Sequence, residues 1–386
     1  MVASEASQLL RLTAALATLA VSTAAAAQPA QDGGATATPS GELSRSETPL
    51  PWHGSLFFWE HAVGTQTIGI GQDYQSSNPT YEMTFRLAPR YYFVENAAMS
   101  VSARADIRLL REFTNSDTTT ERGEWTFLDT ELWLAEVATL SDAPGRHSEL
   151  IFRAPLLVLP TSKVSYDSGR TLGLGLGVGL DQNVPLRGEG AKVLPSLLLR
   201  PRLVYTYQFA NAIVATSNEI DRVRLDPDSR ALPSDQLSGS ALAQHQVNAT
   251  LRVDTKITEQ VGLVTEFGMR YARRYALPES VELCGVLATG CASVPSNPDR
   301  SRWGVQTLFA VSLGYSPLDY LEIGLSYGNL APQLGEDGRR RNVFYSPYAQ
   351  AALDFTVALD VLYQHATGRH SAESSHTAAR LGNARF

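Results

Sequence analysis

The feature that most constrains this chain is a recurring alternation of apolar and polar residues. In residues 245–257, for example, Val247, Leu251 and Val253 share one parity, while Arg252 and Asp254 share the other. Successive side chains of a β-strand point to opposite faces of a sheet, so the pattern predicts a strand with one apolar and one polar face. Both a soluble β-sandwich and a barrel in a membrane are compatible with such strands.

The same alternation predicts twelve strands along the chain. They span residues 55–64, 81–94, 99–111, 125–137, 150–159, 170–180, 194–208, 245–257, 261–272, 303–315, 320–328 and 346–363. Glycine occupies every second position from 173 to 179, which predicts a strand face without side chains and with room for a solute. Pro89, Pro155 and Pro201 fall inside predicted strands, and each is expected to mark a bulge or a bend.

The N-terminus predicts an export signal. Arg11 precedes a short apolar run that ends in three alanines, so we expect a signal peptide at residues 1–27. Residues 28–51 are small, polar and rich in proline, which predicts a disordered linker. The folded part is expected over residues 52–364, followed by a tail at 365–386.

Composition narrows the class of protein. Hydrophobic residues make up 44% of the chain and charged residues 18%, with a net charge of −7, so nothing predicts nucleic-acid binding. Beyond the export signal no segment reaches eighteen apolar residues, which excludes a helical membrane protein. If the chain crosses a membrane, it must do so with strands.

The connections between the predicted strands alternate in length. Short turns, such as the one at residues 256–260, alternate with long polar loops, such as the one at residues 209–244. Aromatic residues cluster at strand ends, as at Tyr91 to Phe93 and at Trp125 and Phe127. Short periplasmic turns, long external loops, an even strand number and aromatic strand ends are typical of barrels in outer membranes.

On these patterns, residues 52–364 resemble the Gram-negative outer-membrane β-barrel proteins. The resemblance implies an all-β fold, an antiparallel transmembrane β-barrel of about 12 strands with short periplasmic turns and long extracellular loops. It also implies a location in the bacterial outer membrane, with membrane lipid and the outer-membrane assembly machinery as partners. Phe386 is similar to the C-terminal aromatic residue of the assembly signal in that class. However, residues 376–385 lack the expected alternation, so the last strand ends either at Tyr363 or at Phe386.

In such a barrel the charged parity is expected to face the lumen, because one arginine facing lipid at the membrane midplane costs about 2–4 kcal/mol. The residues expected to line the lumen are Arg86, Arg90, Arg104, Asp106, Arg108, Asp129, Glu131, Arg153, Arg200, Arg202, Arg252, Asp254, Glu266 and Arg270. Two interpretations remain open: these charges form a narrow polar channel, or they pair across the lumen and fill it.

Motifs for chemistry are sparse. His147-Ser148 and His370-Ser371 are the nearest matches to the His and Ser pair of outer-membrane phospholipases, but neither is followed by Asn-Gly. We therefore expect no catalytic residue and no cofactor. No metal is expected either. The longest loop offers Ca²⁺ three carboxylates, but their spacing fits no known calcium loop; they are Asp226, Asp228 and Asp235. The tail histidines are able to contact a metal but are more simply explained as a solvated tail; they are His365, His370 and His376. Cys284 and Cys291, the only cysteines, are predicted to form a disulfide in an external loop.

The sequence thus favours a passive channel or transporter for small polar or charged solutes. A second interpretation is a non-conducting barrel whose long loops bind a partner. A third is an outer-membrane hydrolase, and a fourth is a soluble exported β-sandwich.

Overall fold

The computed structural model describes residues 49–65, 67, 80–114, 123–143, 146–186, 194, 196–216, 237–284, 291–295, 302–335 and 338–368. These residues belong to one compact unit, Pro49–Phe386. The predicted signal peptide, residues 28–48 of the predicted linker and residues 369–386 of the tail lie outside the described part of the chain.

The described residues form a closed antiparallel barrel of twelve strands, as the alternation predicts. The strands of the chain are β1 (Leu56–Gly64), β2 (Tyr81–Ala88), β3 (Arg90–Glu95), β4 (Met99–Glu112), β5 (Trp125–Phe127), β6 (Thr130–Ala143), β7 (Arg146–Leu159), β8 (Arg170–Pro185), β9 (Ser196–Ala210), β10 (Val214–Thr216), β11 (Leu237–Ala241), β12 (Ala243–Lys256), β13 (Val261–Arg274), β14 (Ser280–Cys284), β15 (Cys291–Pro295), β16 (Trp303–Leu318), β17 (Leu321–Pro332) and β18 (Gln350–Ala358). Segments β2 and β3 pair with one side of β4 and form one interrupted wall strand. Segments β5 and β6 pair with the other side of β4 and form another. Two hairpins, β10–β11 and β14–β15, form separate small sheets within the long connections.

Closure of the barrel depends on β1, which pairs with β2 on one side and with β18 on the other. The register runs without a shift from Leu56 opposite Ala358 to Gly64 opposite Gln350. A closed barrel leaves no strand edge with unpaired N–H and C=O groups, which is the requirement for strands in a bilayer. Among the described residues, no helix has the length and apolar character needed to span a membrane.

Connection lengths follow the predicted alternation with one exception. The connections 96–98, 144–145, 257–260 and 319–320 are short, and the first strand begins and the last strand ends at this same end of the barrel. We call it the turn end. The opposite loop end carries 65–80, 113–124, 160–169, 211–242, 275–302 and 333–349. The exception is 186–195 at the turn end, which is as long as 160–169 at the loop end.

The apolar parity of the strands is exposed. Leu325 is 61% exposed and Leu251 is 44% exposed, although both lie in the middle of regular strands. Exposed aromatic side chains lie toward both ends of the wall: Tyr91, Phe93 and Tyr315 near the turn end, and Trp125, Tyr271 and Trp303 near the loop end. An apolar outer surface bordered by aromatic residues is suited to contact with lipid rather than with water.

The three prolines predicted to mark bulges or bends have different effects on strand pairing. Pro155 coincides with a bulge, because three steps along β7 from Arg153 to Leu156 oppose only two steps along β8. The bulge reverses the parity, so Leu156 lies opposite Gly175 and is buried, whereas the alternation predicted that Leu156 and Val158 would face away from Arg153. Pro89 interrupts the ladder between β2 and β3, and Pro201 lies at a gap in the pairing with β8; neither shifts the register.

The prediction that the last strand continues to residue 363 is wrong. β18 ends at Ala358, and the chain continues as helix α2 (Leu359–Thr367). A shorter helix, α1 (Lys163–Asp167), lies in the connection between β7 and β8. The amide of Leu359 donates to the carbonyl of Ser55 at 3.0 Å, and the amide of Gly54 donates to Asp360 Oδ2 at 3.0 Å. Asp360, which falls within the predicted strand 346–363, is therefore a buried acceptor at the start of α2, where it holds the chain that leads into β1.

A substitution on the exposed parity tests the orientation of the wall. We expect Leu251→Arg to lower the free energy of unfolding in phospholipid vesicles by about 2–4 kcal/mol, because the guanidinium would face acyl chains. Guanidinium-induced unfolding followed by tryptophan fluorescence measures the loss. Leu251→Ala is the matched control and is expected to cost less. Equal stability of Leu251→Arg and the unchanged protein would contradict an outward Leu251.

Candidate functional site

The charged parity of the strands is buried. Asp106 is 3% exposed, Arg200 is 4% exposed and Arg252 is 6% exposed, while apolar neighbours in sequence such as Leu251 are open. Charged side chains are almost never buried unless they are paired, so these positions require partners. This is the pattern expected of a barrel whose charged parity faces inward. That the predicted set lines a solute pathway remains a prediction.

A first group of charges joins β2 and β4. Arg86 lies directly opposite Arg108, and Asp106 lies on the same face of β4. Asp106 accepts from Arg86 Nε at 3.0 Å and from Arg108 Nε at 2.9 Å, and the terminal nitrogens of both arginines contact its second oxygen. The guanidinium of Arg86 also lies 5.1 Å from the ring centroid of Phe58. One carboxylate thus offsets the repulsion between two facing arginines, and Glu131 stands directly opposite it on β6.

A second group forms an ion-pair ladder across β8, β9 and β12. Its members, in order of contact, are Arg202, Asp181, Arg200, Asp254 and Arg252. Arg200 is the central rung: its Nε lies 3.5 Å from Asp181 and its terminal nitrogen lies 2.7 Å from Asp254. Arg252 Nε donates to Asp254 at 2.6 Å, and Glu266 stands directly opposite Arg252 on β13. Alternating signs along neighbouring strands give every buried charge of the ladder an oppositely charged contact.

A third group contains arginines and an aromatic ring. Arg90 on β3 lies directly opposite Arg104 on β4, and Arg104 lies directly opposite Trp133 on β6. The guanidinium of Arg153 on β7 lies 5.5 Å from the ring centroid of Trp133. Directly opposed residues share one face of a sheet, so these side chains belong to the same face as Asp106. Arg104 Nε donates to Ser102 Oγ at 3.0 Å.

The face of β8 that carries glycine at every second position from 173 to 179 is partly occupied by side chains of neighbouring strands. The glycines at positions 173, 175, 177 and 179 lie on the buried parity of β8, but a Cβ at Gly179 would overlap Cδ of Arg202. The missing side chain therefore makes room for Arg202 to lie across β8 and reach Asp181. The expectation of free space for a solute is wrong at this position, because an interior side chain uses the space.

Sequence reasoning missed two members of these groups. Asp181 continues the parity of Gly173 to Gly179, and Trp133 continues the parity of Glu131. Trp133 already lies within the predicted strand 125–137, so following the parity of Glu131 one step further would have found it. Asp181 lies beyond the predicted strand end at residue 180, whereas β8 reaches Pro185.

The remaining predicted lumen residues have local partners. Arg270 Nε donates to Asn248 Oδ1 at 3.0 Å on the neighbouring strand. Asp129 lies between β5 and β6 and accepts from the amide and hydroxyl of Ser162 at 3.2 and 2.7 Å, and from Ser165 Oγ. Since Ser162 is the N-cap of α1, Asp129 fixes a loop at the loop end.

His147 and Ser148, the nearest match to the phospholipase His and Ser pair in the described residues, engage different partners. His147 Nδ1 lies 3.1 Å from Asp142 and its Nε2 lies 3.0 Å from Glu149, whereas Ser148 Oγ donates to Gln182 at 2.7 Å. Adjacent residues of a strand point to opposite faces, so this imidazole does not activate this hydroxyl. His370-Ser371 lies outside the described residues, as do Asp226, Asp228, Asp235 and His376. His365 lies in α2.

Cys284 and Cys291 lie directly opposite each other in the β14–β15 hairpin. Directly opposite residues of an antiparallel pair have Cα atoms about 4.5–5.5 Å apart, which is within the range that a disulfide bridges. The register is therefore compatible with the predicted disulfide, which remains a prediction.

The disulfide can be tested by thiol labelling of the protein exported to the periplasm and recovered from membranes. We expect no labelling of the unfolded, unreduced chain and two labelled cysteines after reduction, because exported thiols meet an oxidising compartment. Mass spectrometry of the peptide that spans β14 and β15 provides the readout. Cys284→Ser is the control and should expose one thiol without reductant. Two labelled thiols in the unreduced chain would contradict the pairing.

The order of contacts in the ladder predicts that substitutions of Arg200 and Arg202 lower the free energy of unfolding by different amounts. Arg200→Met should lower the free energy of unfolding by about 3–5 kcal/mol, because Asp181 and Asp254 both lose a buried partner. Arg202→Met should cost less, since Asp181 keeps Arg200. Guanidinium unfolding in vesicles measures both variants. Equal losses would mean that Arg200 is not the central rung.

No protein-family model matches the sequence, and no curated protein matches it. Among solved structures, an outer membrane channel from Pseudomonas putida F1 is 10% identical with a TM-score of 0.46, covering 82% of this chain and 99% of that chain. The NanC porin is 9% identical with a TM-score of 0.35, covering 79% and 98%. The outer membrane phospholipase A from Escherichia coli is 12% identical with a TM-score of 0.32, covering 80% and 97%. Such low identities and TM-scores carry no argument about activity.

The architecture of the chain itself is decisive for its class. Twelve antiparallel strands close without an edge, the exposed parity is apolar, and aromatic side chains border it at both ends. Only this kind of sheet satisfies its backbone hydrogen bonds inside a bilayer. The chain is a β-barrel protein of the bacterial outer membrane.

Proposed function

We propose that this barrel is a passive channel or transporter for small polar or charged solutes. The observation that carries the proposal is the direction of the ion pairs among the interior charges. Arg86 with Asp106 joins neighbouring strands, and so do the contacts that Arg200 makes with Asp181 and Asp254. Arg108 with Asp106 and Arg252 with Asp254 lie within a single strand.

Pairs of this kind run along the wall rather than across the lumen. Two charges on opposite sides of a barrel would have to extend toward its axis to meet, and together they would fill the interior. Charges that pair with the next strand instead lie against the wall. This favours the polar channel over the filled barrel, the two interpretations that the sequence left open.

Both signs of charge are present along such a wall, which supports a pathway for polar solutes. A channel selects by opposing or attracting the charge of the solute at the residues that line it. Arginines and carboxylates in alternation provide a polar surface throughout, with local excess of one sign where pairing is incomplete. The proposal assigns no enzymatic activity to the barrel.

Conductance tests the proposal directly. We expect the folded protein in a planar bilayer to give steady single-channel currents in potassium chloride. Arg270→Glu should shift the reversal potential in a salt gradient toward cation preference, because it reverses a charge on the polar parity. Leu251→Ala, on the exposed parity, is the matched control and should leave the reversal potential unchanged. An inserted protein that carries no current, or a current insensitive to Arg270→Glu, would contradict the channel.

A further inference from the structure

We propose that Arg90, Arg104, Arg153 and Trp133, here called the arginine cluster, form a binding site for small organic carboxylates inside the barrel. The inference deepens the proposed channel function, on which its role in transport rests, by naming a class of solute. The binding itself can be measured whether or not the barrel conducts.

The arginine cluster is continuous over neighbouring wall strands. Arg90 and Arg104 are directly opposite, Arg104 and Trp133 are directly opposite, and Arg153 stands over the Trp133 ring. The region that they share on the buried face lies on β4, β6 and β7, and Arg90 on β3 borders it with its guanidinium beside Gly54. Three of the four carry a positive charge.

The charges of this cluster are not offset as those of the other groups are. Arg86, Arg108, Arg200, Arg202 and Arg252 each contact a carboxylate. Within the part of the chain that the structure describes, Arg90, Arg104 and Arg153 have no ion pair. Placing like charges side by side on a buried face is costly unless an opposite charge joins them. An anionic ligand supplies that charge.

Unused hydrogen-bond donors point to the same kind of ligand. Arg153 Nε and Trp133 Nε1 are both buried and have no hydrogen-bond partner among the described residues. A buried donor without an acceptor costs about 1–3 kcal/mol, so two of them at one place call for a group rich in acceptors. Guanidinium and indole groups donate and do not accept, which excludes a cation as the ligand.

The geometry of the donors favours a carboxylate over a simple halide. The guanidinium fork matches the two oxygens of a carboxylate or a phosphate in bidentate pairs. Trp133 and the buried Leu156, which lie directly opposite each other, add apolar surface beside the charges. An inorganic anion makes no use of that surface, whereas the carbon skeleton of an organic acid does.

Citrate is a suitable probe for an organic carboxylate. Inorganic phosphate is the comparison that shows whether the site binds any oxyanion equally well. We expect citrate to reduce the chloride current of the wild-type channel reversibly, and phosphate to do so only at higher concentration. Arg104→Gln and Arg153→Gln should each raise the half-blocking concentration of citrate about tenfold, the effect of one lost hydrogen bond between charged groups. Arg108→Gln, on the same face of β4, is the matched control. It removes the same charge but one that Asp106 already neutralises, so its half-blocking concentration should stay within about twofold.

Binding in detergent separates this site from the proposed function. Citrate should change the tryptophan fluorescence of the folded barrel, and Trp133→Phe should remove that change while circular dichroism confirms an intact fold. A barrel that binds citrate but carries no current overturns the channel and supports the site. A conducting barrel that citrate neither blocks nor perturbs overturns the site. Equal weakening of the block by Arg108→Gln and Arg104→Gln would also overturn the site, since overall charge would then explain the effect.

Discussion

The structure depends on the closure of one hydrogen-bonded ladder, the pairing of β1 with β18. A strand edge inside a bilayer would leave a row of N–H and C=O groups without partners, each at a cost of several kcal/mol. The unshifted register from Leu56 to Gly64 removes that edge. Once the sheet is closed, every side chain must face either lipid or the interior. The alternation along each strand then decides which residues do which.

Burial of the charged parity creates the second constraint, and neighbouring strands meet it locally. Asp106 bridges two facing arginines, and Arg200 bridges two aspartates in the ladder. In both arrangements a buried charge pairs with an opposite charge on the same strand or on a neighbouring strand. The arginine cluster departs from this rule, because none of its three arginines forms an ion pair among the described residues. The contrast between satisfied and unsatisfied charge on one face is the reason to place a ligand there rather than at the ladder.

Helix α2 connects the first and the last strand of the barrel at the turn end. It begins where Asp360 accepts the amide of Gly54, and Val361 packs against a small buried cluster of Leu56, Phe58 and Ala358. The segments that enter and leave the barrel are therefore tied together where the barrel closes. This contact joins residues about 300 positions apart, 306 in the case of Gly54 and Asp360. It stabilises the same pair of strands on which closure depends.

The sequence by itself determined the strand number, the antiparallel order and the parity of most wall residues, because a period of two is a local property that each strand carries alone. It placed Arg252 and Leu251 on opposite faces correctly. Only the tertiary structure decided the bulge at Pro155 that turns Leu156 inward, the end of β18 at Ala358, and the use of the space at Gly179 by Arg202. Which arginines are paired was also beyond the sequence. Pairing depends on the register between strands, and register is fixed by contacts between residues far apart in the chain.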